Sequence, residues 1–257
     1  MKTNSGIDRE TSVSGSYTDR ARIAAAKGEH RIAVVIPAFN EDSSILRVLE
    51  DIPSGLTDEI IVVDNKSTDQ TASIARAAGA TVLHESRQGY GSACLTGVAY
   101  ALAREYDIIV FLDADYSDHP EEMTALVESI TRDKFDMVIG SRSAGVMENG
   151  AMPPHARFGN WLATSLIRLL WRERFTDLGP FRAITADALR RIAMRDTNYG
   201  WTVEMQIKAA RLKLRSTEIP VRYRKRIGVS KITGSIVGSV KAGYKILYTI
   251  AKYGLRG

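Results

Sequence analysis

Short β-branched runs alternate with segments of helical spacing over residues 31–142 of this 257-residue chain. RIAVVIP (31–37), EIIVVD (59–64), TVLHE (81–85), DIIVFLD (107–113) and FDMVIGSR (135–142) have the near-continuous apolar character of strands buried on both faces. Between them SSILRVLEDI (43–52), DQTASIARAAG (69–79), GSACLTGVAYALARE (91–105) and PEEMTALVESI (120–130) read as helices. This alternation predicts an α/β fold, Rossmann-like, with a mostly parallel sheet and helices on both faces. In such sheets ligands bind beyond the carboxyl ends of the strands. Those ends carry PAFNE, VDNKSTD, the DAD triplet and GSR, so the polar chemistry gathers on one edge.

Residues 143–156, with glycine, methionine and a proline pair, predict a loop, either a plain surface linker or one able to close over a ligand. A helix (157–171), the short segment TDLGPFRAI (176–184), helices near 185–194 and 202–211, and an Arg/Lys-rich strand (216–226) follow. Residues 1–28 are polar and Ser/Thr-rich, predicting a mobile tail; 29–230 form the main domain, and 231–257 a C-terminal amphipathic helix. In that helix Ile236, Val240, Leu247, Ile250 and Ala251 share one face, opposite Lys241, Lys245 and Lys252. Such a helix suits a membrane interface or its own domain equally.

The net charge of +5 suits an anionic ligand or membrane surface. A single cysteine, Cys94, excludes an internal disulfide and a cysteine-based zinc site. No apolar run reaches the roughly 18–20 residues of a membrane span, and the N-terminus lacks the apolar core of a signal peptide. The expected location is cytoplasmic, with peripheral contact at the membrane face. Nucleic acid is not an expected partner; self-association is left open.

Asp113 and Asp115 share one face of an extended segment where an apolar strand stops. Carboxylates held that close repel each other unless a cation or a shared proton settles the charge. A helix–loop–helix calcium site counted from Asp113 would need glycine at position six and glutamate at twelve, where Asp118 and Thr124 stand. GYGSAC (89–94) is a weak match to a dinucleotide fingerprint, although Gly89 permits close backbone approach to a ligand. The aspartate pair therefore reads as a divalent-metal site, with Asp118, Glu121 and Glu122 capping the next helix.

Taken together, VVIPAFNE (34–41), IIVVDNKSTDQT (60–71), GYGSACLTGVAYA (89–101) and IIVFLDADYSDHPEE (108–122) resemble the family 2 glycosyltransferases of GT-A fold. Within them the chain looks most like the dolichol-phosphate mannose synthase and polyprenyl-phosphate glycosyltransferase branch. GSR (140–142), DLGPFRAI (177–184) and RIGVSK (226–231) extend the match. The resemblance implies a nucleotide-diphosphate sugar donor of GDP-mannose or UDP-glucose type, Mg²⁺ or Mn²⁺, inversion at the anomeric carbon and a polyprenyl phosphate acceptor. By position it implies that Pro37, Ala38, Asn40, Glu41, Gly89 and Ala114 bind the donor, with Asp64 on the base and Asn65 beside it. Asp113 would lie near the ribose or metal, and Asp115 would be the direct, catalytic metal ligand. Ser117 stands where relatives can carry Gln or His, a weaker metal contact through water. On the acceptor side the resemblance implies that Arg142, Arg157, Arg226 and Lys231 hold phosphate, and that Asp177 serves as base or positioning residue. Trp201 and Glu204 match a segment lining the acceptor groove. A hydroxyl acceptor, or a nucleotide-sugar binding module without turnover, are the competing readings.

Overall fold

The computed structural model describes residues 19–228 and 236–255, with 236 and 237 by backbone alone. In chain order it contains α1 (19–27), β1 (Ile32–Ala38), α2 (Ile45–Glu50), β2 (Glu59–Asp64), α3 (Thr71–Ala77), β3 (Thr81–His84) and α4 (Tyr90–Ala103). Then come β4 (Ile108–Phe111), α5 (Met123–Thr131), β5 (Met137–Ser141), α6 (Pro154–Trp171), β6 (Arg182–Thr185) and α7 (Ala186–Ile192). The chain continues through α8 (Trp201–Arg211), β7 (Ser216–Pro220) and α9 (Ile236–Gly254).

The strands form one sheet in the order β3-β2-β1-β4-β6-β5-β7, parallel except where β6 runs antiparallel between β4 and β5. Alternation along the strands divides the core. Ala33, Val35, Ile61, Val63, Ile109 and Phe111 face α4, α6 and α8, while Ile32, Val34, Ile36, Val62, Ile108 and Val110 face α2 and α5. Strand order reverses between β1 and β4, and their carboxyl ends open the crevice where α/β sheets bind ligands.

Three elements differ from expectation. Residues 19–27, expected within the tail and with only weak helical potential near Arg20–Lys27, form a helix docked on the domain: Ala26 is buried, Lys27 pairs with Asp58 at 2.6 Å, and Thr131 Oγ1 donates to the Ala26 carbonyl. Its docked face is only Ile23 and Ala26 within an alanine-rich run, too small an apolar stripe to read as a packed face. The segment TDLGPFRAI yields the short strand β6, whose central place in the sheet follows from its pairing with Phe111 and Ile139 through Arg182. The strand expected over 216–226 ends at Pro220; beyond it the chain lies along the turn after β4, pairing Tyr223 with Asp118.

α9 buries Ala242, Thr249 and Ile250 against the domain, while Val240, Tyr244, Leu247 and Tyr248 are exposed. It is fastened by Lys245 to Asp196 and by Tyr253 Oη to Glu204 Oε1. The apolar positions expected on one face are thus divided between docking and solvent. Among the described residues, no helix is long and apolar enough to cross a membrane.

Candidate active site

The carboxyl ends of β1 and β4, the start of α4, the 198–199 loop and Arg226 enclose a cleft of about 470 Å³. Pro37, Ala38, Glu41, Asn65, Gly89, Asp113, Ala114 and Asp115 all line it, so the structure brings these expected site residues together. Asn40 and Asp64 do not, because their side chains build the turns behind it. Asn40, with φ +53°, accepts from Thr68 N through Oδ1, joining the β1 turn to the β2 turn. Asp64 Oδ1 accepts from Ser67 N, and Oδ2 lies 3.2 Å from His84 Nδ1. Asn65 donates to the carbonyls of Glu85 and Arg87 and accepts from Gly89 N. An aspartate there could not donate, which accounts for the amide at this position.

Asn198 and Tyr199 also line the cleft, and neither was expected. Their loop lies directly on the start of α4, where Ser92 N donates to Thr197 O at 2.9 Å. A Cβ on Gly91 would stand 2.2 Å from Asp196 O, so only glycine allows this approach. The Gly89/Gly91 pair was the available signal. It told of a close approach without telling which segment made it.

Asp115 Oδ1 accepts from both Ser117 N (2.9 Å) and Ser117 Oγ (2.5 Å). Its Oδ2 lies 3.0 Å from Arg226 Nη1, and Arg226 Nη2 donates to Glu41 Oε1 at 2.9 Å. Asp113 Oδ1 accepts from Tyr90 Oη at 3.0 Å. Burial, and then the charge of Asp115, push the Asp113 carboxyl up to about 7. Asp118, expected as a helix cap, caps nothing: it is 1% exposed, and neither carboxylate oxygen has a hydrogen-bond partner. Burial, and then the neighbouring Asp113 and Asp115, push its carboxyl well above its ordinary value. Glu121 and Glu122 instead pair with Arg222.

The donor set fits a small divalent cation shared with a ligand. Among the described residues no three acidic, His or Cys side chains form a closed metal cage. Mg²⁺ needs none, since one or two carboxylates with phosphate oxygens and water complete its octahedron. Asp113 and Asp115 are the two carboxylates that could serve there, and their crowding would be relieved by a cation. Ser117 donates its hydroxyl proton to Asp115 Oδ1, which fixes the orientation of that carboxylate and leaves the Ser117 oxygen lone pairs for a cation or its water.

A second cavity, about 320 Å³, shares Tyr90, Asp113, Asp115, Tyr199 and Arg226 with the cleft and runs between α6 and α9. Met152, Pro153, Leu178, Trp201, Ala242 and Ile246 give it an apolar wall. Trp201 is both core and cavity wall, set edge-on against Phe111. Glu204 does not reach the cavity; it accepts from Arg195 N and Asp196 N and pairs with Lys208. Arg142 lines the cavity but its guanidinium is committed to Asp177, with Nη2 to Oδ1 at 2.6 Å and Nε to Oδ2 at 2.8 Å. Burial alone would raise the Asp177 carboxyl, yet Arg142 outweighs it and holds the group below its ordinary range. A fully buried, paired carboxylate is poorly placed as a base; its geometry is that of a positioning residue. Arg157 lines a separate cavity behind Arg142, away from Arg226. Lys231 lies outside the described residues.

Residues 33–193 match the family described as glycosyl transferase family 2. The undecaprenyl-phosphate mannosyltransferase of Micrococcus luteus is 34% identical over 222 residues, covering 81% of this chain and 90% of that protein. A UDP-N-acetylglucosamine–dolichyl-phosphate N-acetylglucosaminyltransferase of Methanococcus voltae is 28% identical over 242 residues, covering 85% and 94%. Among solved structures, glucosyl-3-phosphoglycerate synthase of Mycobacterium tuberculosis, with Mn²⁺, UDP and glucosyl-3-phosphoglycerate, superposes with a TM-score of 0.72. That match is 26% identical and covers 90% of this chain and 82% of the other. The parallel sheet, the crevice at its switch point and the aspartate pair at the end of β4 are thus parts of a GT-A fold, and the chain is a glycosyltransferase belonging to family 2.

Proposed function

We propose that the chain moves a hexose from a nucleotide-diphosphate sugar to a polyprenyl phosphate by a single inverting displacement supported by Mg²⁺ or Mn²⁺. The observation that carries this reading is the apolar cavity between α6 and α9, which meets the polar cleft at Asp115 and Arg226. An apolar passage ending at charged groups suits an acceptor with a hydrocarbon tail and an anionic head. The names of the two curated relatives agree with that acceptor class.

The divalent cation, held by Asp113 and Asp115, would supply charge stabilisation to the departing diphosphate. Pro37, Ala38 and Glu41 flank the nucleoside side of the cleft, while Asn65 fixes the loop that carries Gly89. An acceptor phosphate oxygen forms the new bond to the anomeric carbon. The bond to the diphosphate oxygen breaks, and its electron pair leaves with the nucleoside diphosphate. A phosphate is already ionised at neutral pH, so no strong base is required. This accords with Asp177 being tied to Arg142.

The second reading is a small soluble acceptor, favoured by solved neighbours that contain phosphoglyceric acid. Transfer from UDP- and GDP-sugars with Mn²⁺, to polyprenyl phosphate and to phosphoglycerate in parallel, separates the two. Lipid product that disappears with EDTA and falls at least about 100-fold in Asp115→Ala is expected. Product on phosphoglycerate alone would replace the lipid reading.

A further inference from the structure

Asp115 has one carboxylate oxygen left to offer a cation. Its Oδ1 already accepts two hydrogen bonds from Ser117, whereas Oδ2 faces Arg226 Nη1 at 3.0 Å. Any cation that takes Asp115 as a ligand must therefore share that oxygen with a guanidinium or displace it. Arg226 has a second anchor, Glu41 Oε1, 2.9 Å from Nη2. Its Nε is buried without a hydrogen-bond partner. A buried donor left unsatisfied costs about 1–3 kcal/mol, and a phosphate oxygen is the acceptor a guanidinium satisfies best.

The backbone carrying Arg226 is fastened to the same turn as Asp115. Ile227 N donates to Asp115 O and Arg224 N to Ser117 O, both at 2.9 Å. The Arg224 guanidinium stacks 3.3 Å from the Tyr116 ring centroid and donates to the carbonyls of Tyr116 and Asp118. Release of Asp115 by Arg226 thus needs only a side-chain rotation about a fixed backbone.

We propose that Arg226 is an exchangeable counter-ion for Asp115. It neutralises the carboxylate until a divalent cation and a diphosphate arrive together, then turns to the diphosphate while Glu41 keeps it in the cleft. The inference rests on the donor half of the reading above and is independent of the acceptor. The pair is only partly screened, with side-chain exposures of 25% for Arg226 and 10% for Asp115, so a cation arriving alone must break an interaction of real strength. A diphosphate gives the displaced guanidinium a new partner, and this couples the two ligands reciprocally.

Mn²⁺ titration of the full chain, without sugar or acceptor and with or without UDP or GDP, tests this directly. Arg226→Gln is expected to bind Mn²⁺ alone about tenfold more tightly than wild type, and to show a smaller enhancement by nucleotide. Arg226→Lys, which keeps the charge, is expected to stay near wild type. Arg226→Met serves in the same role if the Gln variant does not fold, as judged by circular dichroism. A side chain with a merely structural role would leave Mn²⁺ affinity unchanged or weaken it on removal, and either result overturns the proposal. An equal nucleotide enhancement in wild type and Arg226→Gln overturns its diphosphate half. Failure of lipid transfer leaves all of these outcomes readable.

Discussion

Asp113 and Asp115 stand two residues apart on one strand end, yet their surroundings differ. Asp115 is neutralised by Arg226 and by two hydrogen bonds from Ser117. Asp113 has a single donor, the Tyr90 hydroxyl, and burial beside Asp115 raises its carboxyl to about 7. The folded chain therefore keeps this proton up to about pH 7, whereas the unfolded chain releases it near the ordinary value of 3.8. Between those values the unfolded state binds fewer protons, so stability declines as pH rises from about 4 to about 7 and is level above. Asp113→Asn cannot ionise and escapes that decline. In EDTA at pH 8 it should gain on the order of 2 kcal/mol over wild type, after allowing for partial solvent screening. The advantage should shrink at pH 5. Urea unfolding of both proteins at the two pH values checks this; an equal advantage at both would show that Asp113 is ionised throughout.

At the scale of elements, the strands legible in the residues are those whose apolar runs are nearly continuous, β1 to β5, and the polar turns at the ends of β1, β2, β4 and β5 gave the cleft its position. β6 was not legible, since RAIT opens on a charged residue, the buried Arg182, and its central place comes from pairing across the sheet. The 198–199 loop and Arg224 were hidden for a related reason: both reach the site from more than 90 residues away in sequence, and local spacing carries no trace of that. Asp177, a candidate base or positioning residue on the sequence, is fully buried, and its partner Arg142 was not legible from spacing. It joins the segment before β6 to the end of β5, through three hydrogen bonds from Arg142. Breaking such a buried pair leaves an uncompensated guanidinium, at a cost of about 3–5 kcal/mol. Asp177→Asn should thus lower stability by roughly that amount, with activity falling in proportion to the folded fraction. A variant of wild-type stability that has lost turnover would instead restore Asp177 as the base.

Over the whole molecule, apolar exposure is concentrated on the two helices that wall the second cavity. α6 exposes Phe158, Trp161, Leu169 and Leu170, and α9 exposes Val240, Tyr244, Leu247 and Tyr248. Arg157, Arg168 and Lys241 are exposed on the same two helices, and Arg172 just beyond the end of α6. Aromatic and aliphatic side chains interspersed with basic ones suit the headgroup level of an anionic bilayer, where each basic group near the surface contributes about 1 kcal/mol. An acceptor entering between α6 and α9 would then leave the membrane directly into the cavity that ends at Asp115. The chain is accordingly expected to cosediment with vesicles of mixed neutral and anionic lipid, and to be released by high salt as its basic groups are screened. Replacing Trp161 and Tyr244 together by serine should weaken that binding by at least tenfold. Turnover on a short, water-soluble polyprenyl phosphate should change little, because neither hydroxyl replacement touches the aspartates. Wild-type protein that ignores anionic vesicles would remove the membrane from this account and favour a soluble acceptor, while vesicle binding unaffected by the double change would move the contact to another face.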